Sequence, residues 1–209
     1  MLQQWYAQLL KKHRPQGWWP TRKYGYNPAN KTRKLDENEM LEICIGTILA
    51  QNTAWNNAEK ALTALHTHDA LSLKKLANLR REKLEKLIHS SGFFRQKAER
   101  LQLFARHVLE KHGSFSTMFK KKLEPLREEL LSLTGIGPET ADSMLLYAGR
   151  KPIFVVDKYT KSLCAKLGLC NEKISYDELQ QLFHEKLPRD HRVFNEMHAL
   201  IVAEGKVKD

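Results

Sequence analysis

The chain has 209 residues, 42% of them hydrophobic, which suffices for one large domain or two small ones sharing an interface. Thirty-five Lys and Arg oppose 24 Asp and Glu, and the formal charge of +11 favours a polyanionic partner without separating DNA from RNA or an anionic membrane. Insertion into a bilayer is set aside, because the longest apolar runs, such as Ile43 to Ala50, are far too short to span one. A secretory leader is not expected either, since Met1 to Tyr6 lacks the basic start and apolar block. Cys44, Cys164 and Cys170 show no CxxC spacing and read as free thiols of a reducing compartment, with Cys44 in the core.

In chain order, Leu2, Trp5, Tyr6, Leu9 and Leu10 recur at helical spacing and predict a helix over residues 1–14, ended by Pro15. Gln16 to Lys34 is polar and aromatic and predicts a loop that carries the adjacent Trp18 and Trp19, either a plug of the core or one wall of a flat pocket. Asp36 and Glu39 form a capping-box pattern for a buried helix to Leu49. After Gln51-Asn-Thr53 a helix starts with Trp55, followed by short helices over 69–77 and 80–88. A second glycine turn at Gly92 leads into a helix over 96–111. Gly168 fits the end of a helix over 159–167, Ser175 and Glu178 make another capping box, and 191–204 is the last helix. No segment alternates with period two over several strands, so the fold class is all-α. His184, His191 and His198 are evenly spaced, but Pro188 interrupts them and no metal site is expected.

Leu133-Thr-Gly-Ile-Gly-Pro-Glu-Thr-Ala141 has the form of a helix end, a glycine hairpin and a new helix start. Gly135 and Gly137 are expected to take backbone angles closed to other residues, and Pro138 suits a first helical turn. Such a hairpin presents backbone N–H groups to phosphate, although an ordinary helix-to-helix turn shares the pattern. Twenty residues past Gly137, the apolar run Ile153 to Val156 ends in Asp157. That carboxylate is either a helix cap or, beside a phosphate cradle, an acid that works on a nucleic-acid backbone. Gln51 lies at a turn between two predicted helices and reads as a helix-end cap, and Arg95 and Lys97 as phosphate ligands or solvated charges.

Together with Ile48 to Thr53, Ser91 to Ala98 and His198 to Val202, these stretches resemble the helix-hairpin-helix DNA glycosylases of the endonuclease III superfamily over most of the chain. The resemblance implies two helical domains with a cleft between them: a six-helix barrel with the hairpin over residues 30–150, and a second domain from 1–29 and 151–209. It implies Asp157 as the catalytic carboxylate. Gln51, Gly92, Arg95, Lys97, Gly135, Ile136, Gly137, Glu139 and Thr140 would bind duplex DNA. Bifunctional members carry an attacking lysine where this chain has Glu139, so strand cleavage is not expected and a monofunctional enzyme is. Many relatives hold an iron–sulfur cluster on four cysteines after the last helix; no cofactor is expected here, though a monovalent cation at the hairpin is compatible with the pattern. Trp18, Trp19 and Trp55 match the 3-methyladenine DNA glycosylase III branch, and their faces would attract a cationic alkylated purine. Lys206 aligns with a basic residue of that pocket, whereas Leu200 stands where the branch can carry a modified lysine. A mismatch or oxidised-base glycosylase, or a DNA-binding module without catalysis, are the alternatives. The resemblance further implies a monomer, in a bacterial cytoplasm or at the nucleoid.

Overall fold

The computed structural model describes residues 1–207, and among them the fold is all-α. Its helices are α1 (Leu2–His13), α2 (Glu37–Leu49), α3 (Trp55–Thr67), α4 (Leu73–Asn78), α5 (Arg81–Leu87), α6 (Phe94–Lys111), α7 (Phe115–Met118), α8 (Leu123–Leu131), α9 (Pro138–Ser143), α10 (Lys158–Lys166), α11 (Tyr176–Lys186) and α12 (His191–Gly205). A π-helical turn, Met144–Ala148, continues α9. The chain forms two compact units, one of Leu35–Gly149 and one of Met1–Lys34 with Arg150–Asp209.

In the 35–149 unit, α2 is apolar on most of its circumference, and a helix of that kind must be central. Leu41, Ile43, Cys44, Ile45, Ile48 and Leu49 are all buried. The helix packs on α3, α6 and the π turn. The Asp36–Glu39 capping box closes as its sequence pattern predicts, with Glu39 N donating to Asp36 Oδ1 at 2.9 Å and Asp36 N to Glu39 Oε2 at 3.0 Å. The helix expected over 69–77 instead starts at Leu73. Ser72 takes over as its N-cap, accepting from Lys75 N at 3.2 Å, while Asp69 turns to a φ of 49°.

A charged cluster fastens α6 to α8. Glu129 Oε1 accepts from Nε2 of His107 at 2.8 Å and of His112 at 2.5 Å. Lys121, and Lys111 at 3.2 Å, pair with Oε2. Burial alone would raise the Glu129 pKa, but the bonds from Lys121, His112, His107 and Lys111 bring it far below the usual carboxylate range. The three metal-capable side chains lie within 4.8 Å of one another. Two ammonium groups already hold the same carboxylate, so the set works as an ionic fastener.

The other unit is built on α12, whose Phe194, Met197, Leu200 and Ile201 are buried and which packs against α1 and α10. Leu200 therefore belongs to the core. Glu196, 1% exposed, draws the following loop onto α12: its Oε1 accepts from Gln16 N at 2.7 Å, and its Oε2 pairs with Lys31. Asn30, also buried, donates to the carbonyls of Gly17 at 2.8 Å, Trp19 at 3.0 Å and Gly25 at 2.8 Å. An amide side chain replaces secondary structure as the partner of these carbonyls, which explains how an irregular segment holds one shape.

Candidate active site and nucleic-acid interface

The hairpin is braced from three sides within its own unit. Leu133 O accepts from Ile136 N at 3.0 Å, which closes the turn. Arg127 of α8 holds Asp142 of α9 through Nε at 2.7 Å and Nη2 at 3.1 Å. Asp142 is fully buried, and this two-point pairing sets the angle between the two helices. Gln51 donates its Nε2 to Gly135 O and Thr140 Oγ1, each at 2.9 Å, and its Oε1 accepts from Arg100 Nη1 at 2.6 Å. Gln51 thus locks the turn after α2 to the hairpin. Ile136 and Thr140 are buried and act as its anchors rather than as an open contact surface.

The two hairpin glycines differ, and one departs from expectation. Gly135 has φ +79°, the left-handed region, and a Cβ there would stand 2.1 Å from Arg100 Nε. Gly137 has φ −93° and ψ 178°, ordinary extended backbone, and a Cβ would meet nothing within 4 Å. Only Gly135 is needed for its angles; at Gly137 the missing side chain leaves open approach to the N-terminus of α9, whose first N–H groups have no partner within the helix. Exposed Glu139 sits in that first turn.

The second glycine turn is attached to the same unit by Lys97, and here the expectation of a phosphate ligand is corrected. Lys97 is 1% exposed, and its Nζ donates to Leu49 O at 2.8 Å and Ser91 O at 2.5 Å. Burial and the charge of Arg100 push its pKa down to about 8. Its ammonium ties the end of α2 to the glycine turn and does not reach solvent. Arg95 is exposed, with its guanidinium 6.0 Å from the Phe94 ring centroid. Gly92 has φ +64° with open space where a Cβ would stand. Phe93 follows at φ 45° and is 62% exposed. A large aromatic held outward on a braced turn is a feature that sequence reasoning missed; the signal available was a Phe pair directly after a glycine, where one ring alone can enter the core.

Asp157 owes its place to α11. The segment 153–156 is buried and has no regular secondary structure, so its backbone groups need partners. Side chains four apart on α11 supply them. Gln180 Nε2 donates to Phe154 O at 2.6 Å, His184 Nε2 accepts from Phe154 N at 2.9 Å, and Tyr176 Oη accepts from Val156 N at 3.4 Å. The Phe154 ring stacks on Phe183 at 3.8 Å. Asp157 ends this rigid segment and caps α10: its Oδ1 accepts from Thr160 N and Thr160 Oγ1, both at 2.8 Å. Its Oδ2 lies 3.8 Å from His198 Nε2 of α12, and its side chain keeps 12% exposure. The helix-cap reading is therefore realised, and it leaves the second oxygen for other work. Lys158 sends its ammonium over the Tyr159 ring, 4.9 Å from the centroid.

Trp18 is half-buried and Trp19 buried, with ring centroids 4.9 Å apart; Trp18 also stands 5.9 Å from Tyr26. Trp55 opens α3 in the other unit and is half-buried. Lys206 is exposed at the end of α12. Its neighbour Gly205 lies so close to Tyr159 that a Cβ would approach the ring to 2.4 Å, which brings this helix end to the start of α10. Of the three cysteines, Cys44 and Cys164 are buried and Cys170 is half-buried.

A braced helix-hairpin-helix followed by a capping aspartate at the head of a helix defines a base-excision architecture. The chain belongs to the HhH-GPD superfamily of base excision DNA repair proteins, which it matches over residues 45–189. A protein of Methanocaldococcus jannaschii, named as a candidate DNA repair glycosylase, is 40% identical over 99% of this chain and 87% of its own length. Endonuclease III of Thermotoga maritima is 32% identical over 76% of this chain and 70% of its own. Among solved structures, the 3-methyladenine DNA glycosylase (MagIII) of H. pylori, bound to 1,N6-ethenoadenine, superposes with a TM-score of 0.77 at 30% identity, covering 100% of this chain and 96% of that one. The chain is thus a DNA glycosylase of the HhH-GPD family by sequence and by fold.

Proposed function

We propose that this chain is a monofunctional glycosylase of duplex DNA that hydrolyses the N-glycosidic bond of a flipped-out damaged base, with an alkylated purine such as 3-methyladenine as substrate. The observation that carries the reading is Asp157. One of its oxygens is held twice by Thr160, so the other is presented at a fixed point. As the bond from C1′ to the base nitrogen breaks, its electron pair leaves with the base and positive charge builds on the deoxyribose. A carboxylate at that point stabilises the charge and takes the proton as water adds to C1′. A cationic alkylated purine departs as a neutral molecule, so no general acid is required.

Glu139 supports release of base with the strand intact, because a carboxylate cannot form the Schiff base that an amine would. The likeness to a 3-methyladenine glycosylase supports an alkylated base. In this reading the first N–H groups of α9, reached past Gly137, hold a phosphate, and Arg95 holds another. Phe93 enters the stack where the base has left, since flipping costs a few kcal/mol of stacking that an inserted ring offsets. Trp18 and its packed neighbour Trp19 offer an aromatic wall to the base, and Lys206 adds a positive charge beside the sugar or its phosphate.

The test compares Asp157→Asn with the unchanged protein on methylated duplex. Binding should persist while base release drops by at least a hundredfold. Equal binding with no base released by either protein would show a DNA-binding module and end the enzymatic reading.

A further inference from the structure

His198 stands out among the buried titratable groups because it faces the reactive carboxylate from behind. It is 8% exposed, on α12, which packs against α10, and its Nε2 is 3.8 Å from Asp157 Oδ2. That separation is too long for a hydrogen bond and short enough for strong electrostatic contact. Oδ1 already has two donors from Thr160. His198 is therefore the neighbour placed to control Oδ2, the oxygen assigned above to the sugar.

We infer that His198 is a positioning residue for Asp157: its neutral imidazole backs Oδ2, holds the carboxylate plane against rotation and leaves its negative charge uncancelled. This deepens the glycosylase reading and rests on it. The chemistry explains the residue type. A lysine or arginine here would be a permanent cation and would neutralise the charge that the developing sugar cation needs. An aliphatic side chain would provide bulk without a polar edge, and the broad rotation of an aspartate about its last bond would be checked from the Thr160 side alone. An imidazole provides the polar edge and stays neutral when buried.

The surroundings favour the neutral form. Burial lowers the His198 pKa, and Asp157 opposes that shift. The Phe154 ring meets the imidazole edge-on, with centroids 6.2 Å apart. The other ionisable groups on the packed elements are engaged elsewhere. On α12, Glu196 pairs with Lys31, and Glu204 with His13 and Lys12. On α10, Lys158 lies over Tyr159; on α11, His184 accepts from Phe154 N; on α1, Tyr6 feels the charge of Glu196. Protonating His198 would place a cation 3.8 Å from Oδ2 and cancel the attraction for the sugar, so the chemical step should slow as pH falls through the His198 pKa, which burial holds below that of a free imidazole.

The experiment measures single-turnover base release and duplex affinity between pH 5 and 8 for the unchanged protein, His198→Leu and His198→Gln, with Asp157→Asn as reference. His198→Leu should lose about tenfold or more in the chemical step with duplex affinity within about twofold. His198→Gln, whose amide nitrogen can take the place of Nε2, should recover most of the rate at pH 7–8. Its acid limb should move to lower pH. The inference is overturned if His198→Leu keeps the full rate, or loses rate and affinity in parallel. It is equally overturned if the acid limb of His198→Gln coincides with that of the unchanged protein, a comparison that stands even if the leucine variant does not fold. No release by the unchanged protein would sink the glycosylase reading itself, and this inference with it.

Discussion

The two hairpin glycines offer a paired test in which stability and binding should separate. Alanine at Gly135 must adopt φ near +79°, a left-handed conformation that costs about 1–2 kcal/mol for an L-residue. Its Cβ would also lie 2.1 Å from Arg100 Nε, so Arg100 must withdraw and its bond to Gln51 Oε1 is lost. A bond to a charged group is worth about 1.5–3 kcal/mol, and half-burial of Arg100 places it at the lower end. The smaller entropy of the unfolded alanine chain returns about 0.4–1 kcal/mol. The net expectation for Gly135→Ala is a loss of about 2–3 kcal/mol. Gly137→Ala meets no atom and keeps an ordinary φ, so its stability should change by less than about 1 kcal/mol. A methyl group at the approach to the α9 N-terminus should instead cost one charge-assisted contact to phosphate, about tenfold in duplex affinity. Urea unfolding gives the first quantity and fluorescence anisotropy on a short duplex the second. If Gly137→Ala unfolds as readily as Gly135→Ala, or binds duplex unchanged, the assignment of one glycine to shape and the other to access is wrong.

Other outcomes follow from the same geometry. Phe93→Ala should leave the melting temperature within a degree or two of the original, because the ring is 62% exposed, and should slow base release on paired duplex more than on a substrate with an unpaired lesion. Equal slowing on both would remove its role in flipping. Borohydride added during turnover should trap no covalent protein–DNA adduct, since Glu139 has no amine to offer; a trapped band would overturn the monofunctional assignment. Glu129→Gln should destabilise the 35–149 unit by about 2–4 kcal/mol at pH 7, since it removes the charge of the buried carboxylate that Lys111 and Lys121 pair with and that both imidazoles contact. Because the folded pKa of Glu129 is depressed, its contribution is present above the unfolded value near 4.3 and fades as pH falls below it. The difference between Glu129→Gln and the unchanged protein should shrink in urea titrations below about pH 4, and a difference that grows there would refute the sign. Asn30→Ala leaves the carbonyls of Gly17, Trp19 and Gly25 without this donor, the first two of them buried, and should alter the fluorescence of Trp18 and Trp19 along with a loss of about 2–3 kcal/mol; an unchanged emission spectrum would mean the loop holds its shape by other means.

Local features were the most legible in sequence. The capping boxes at Asp36 and Ser175 close as patterned, and Gly168 turns left-handed after α10. Such motifs involve residues three or four apart, so their chemistry is written in consecutive letters. The helix start at Leu73 was missed because Asp69 and Ser72 are both good caps and their neighbours decide between them. Lys97 shows a different failure. A lysine beside a glycine turn reads as a surface charge, and only the position of Leu49 O, 48 residues earlier, makes it an internal brace. Gly137 shares its letter with Gly135 and differs in backbone angle, which no spacing reveals.

Sequence alone determined the all-α class and the hairpin pattern, because periodicity and turn chemistry are properties of short stretches; Asp157 and Glu139 drew notice through the resemblance those stretches carry. Tertiary structure decided how those pieces are held. Arg127 reaches Asp142, Gln51 reaches the hairpin carbonyl, the α11 side chains satisfy the segment before Asp157, and His198 comes up behind its second oxygen. Each of these contacts joins residues 15 to 84 apart. A buried backbone or charged group must find a partner, but which partner it finds is settled only when the helices pack.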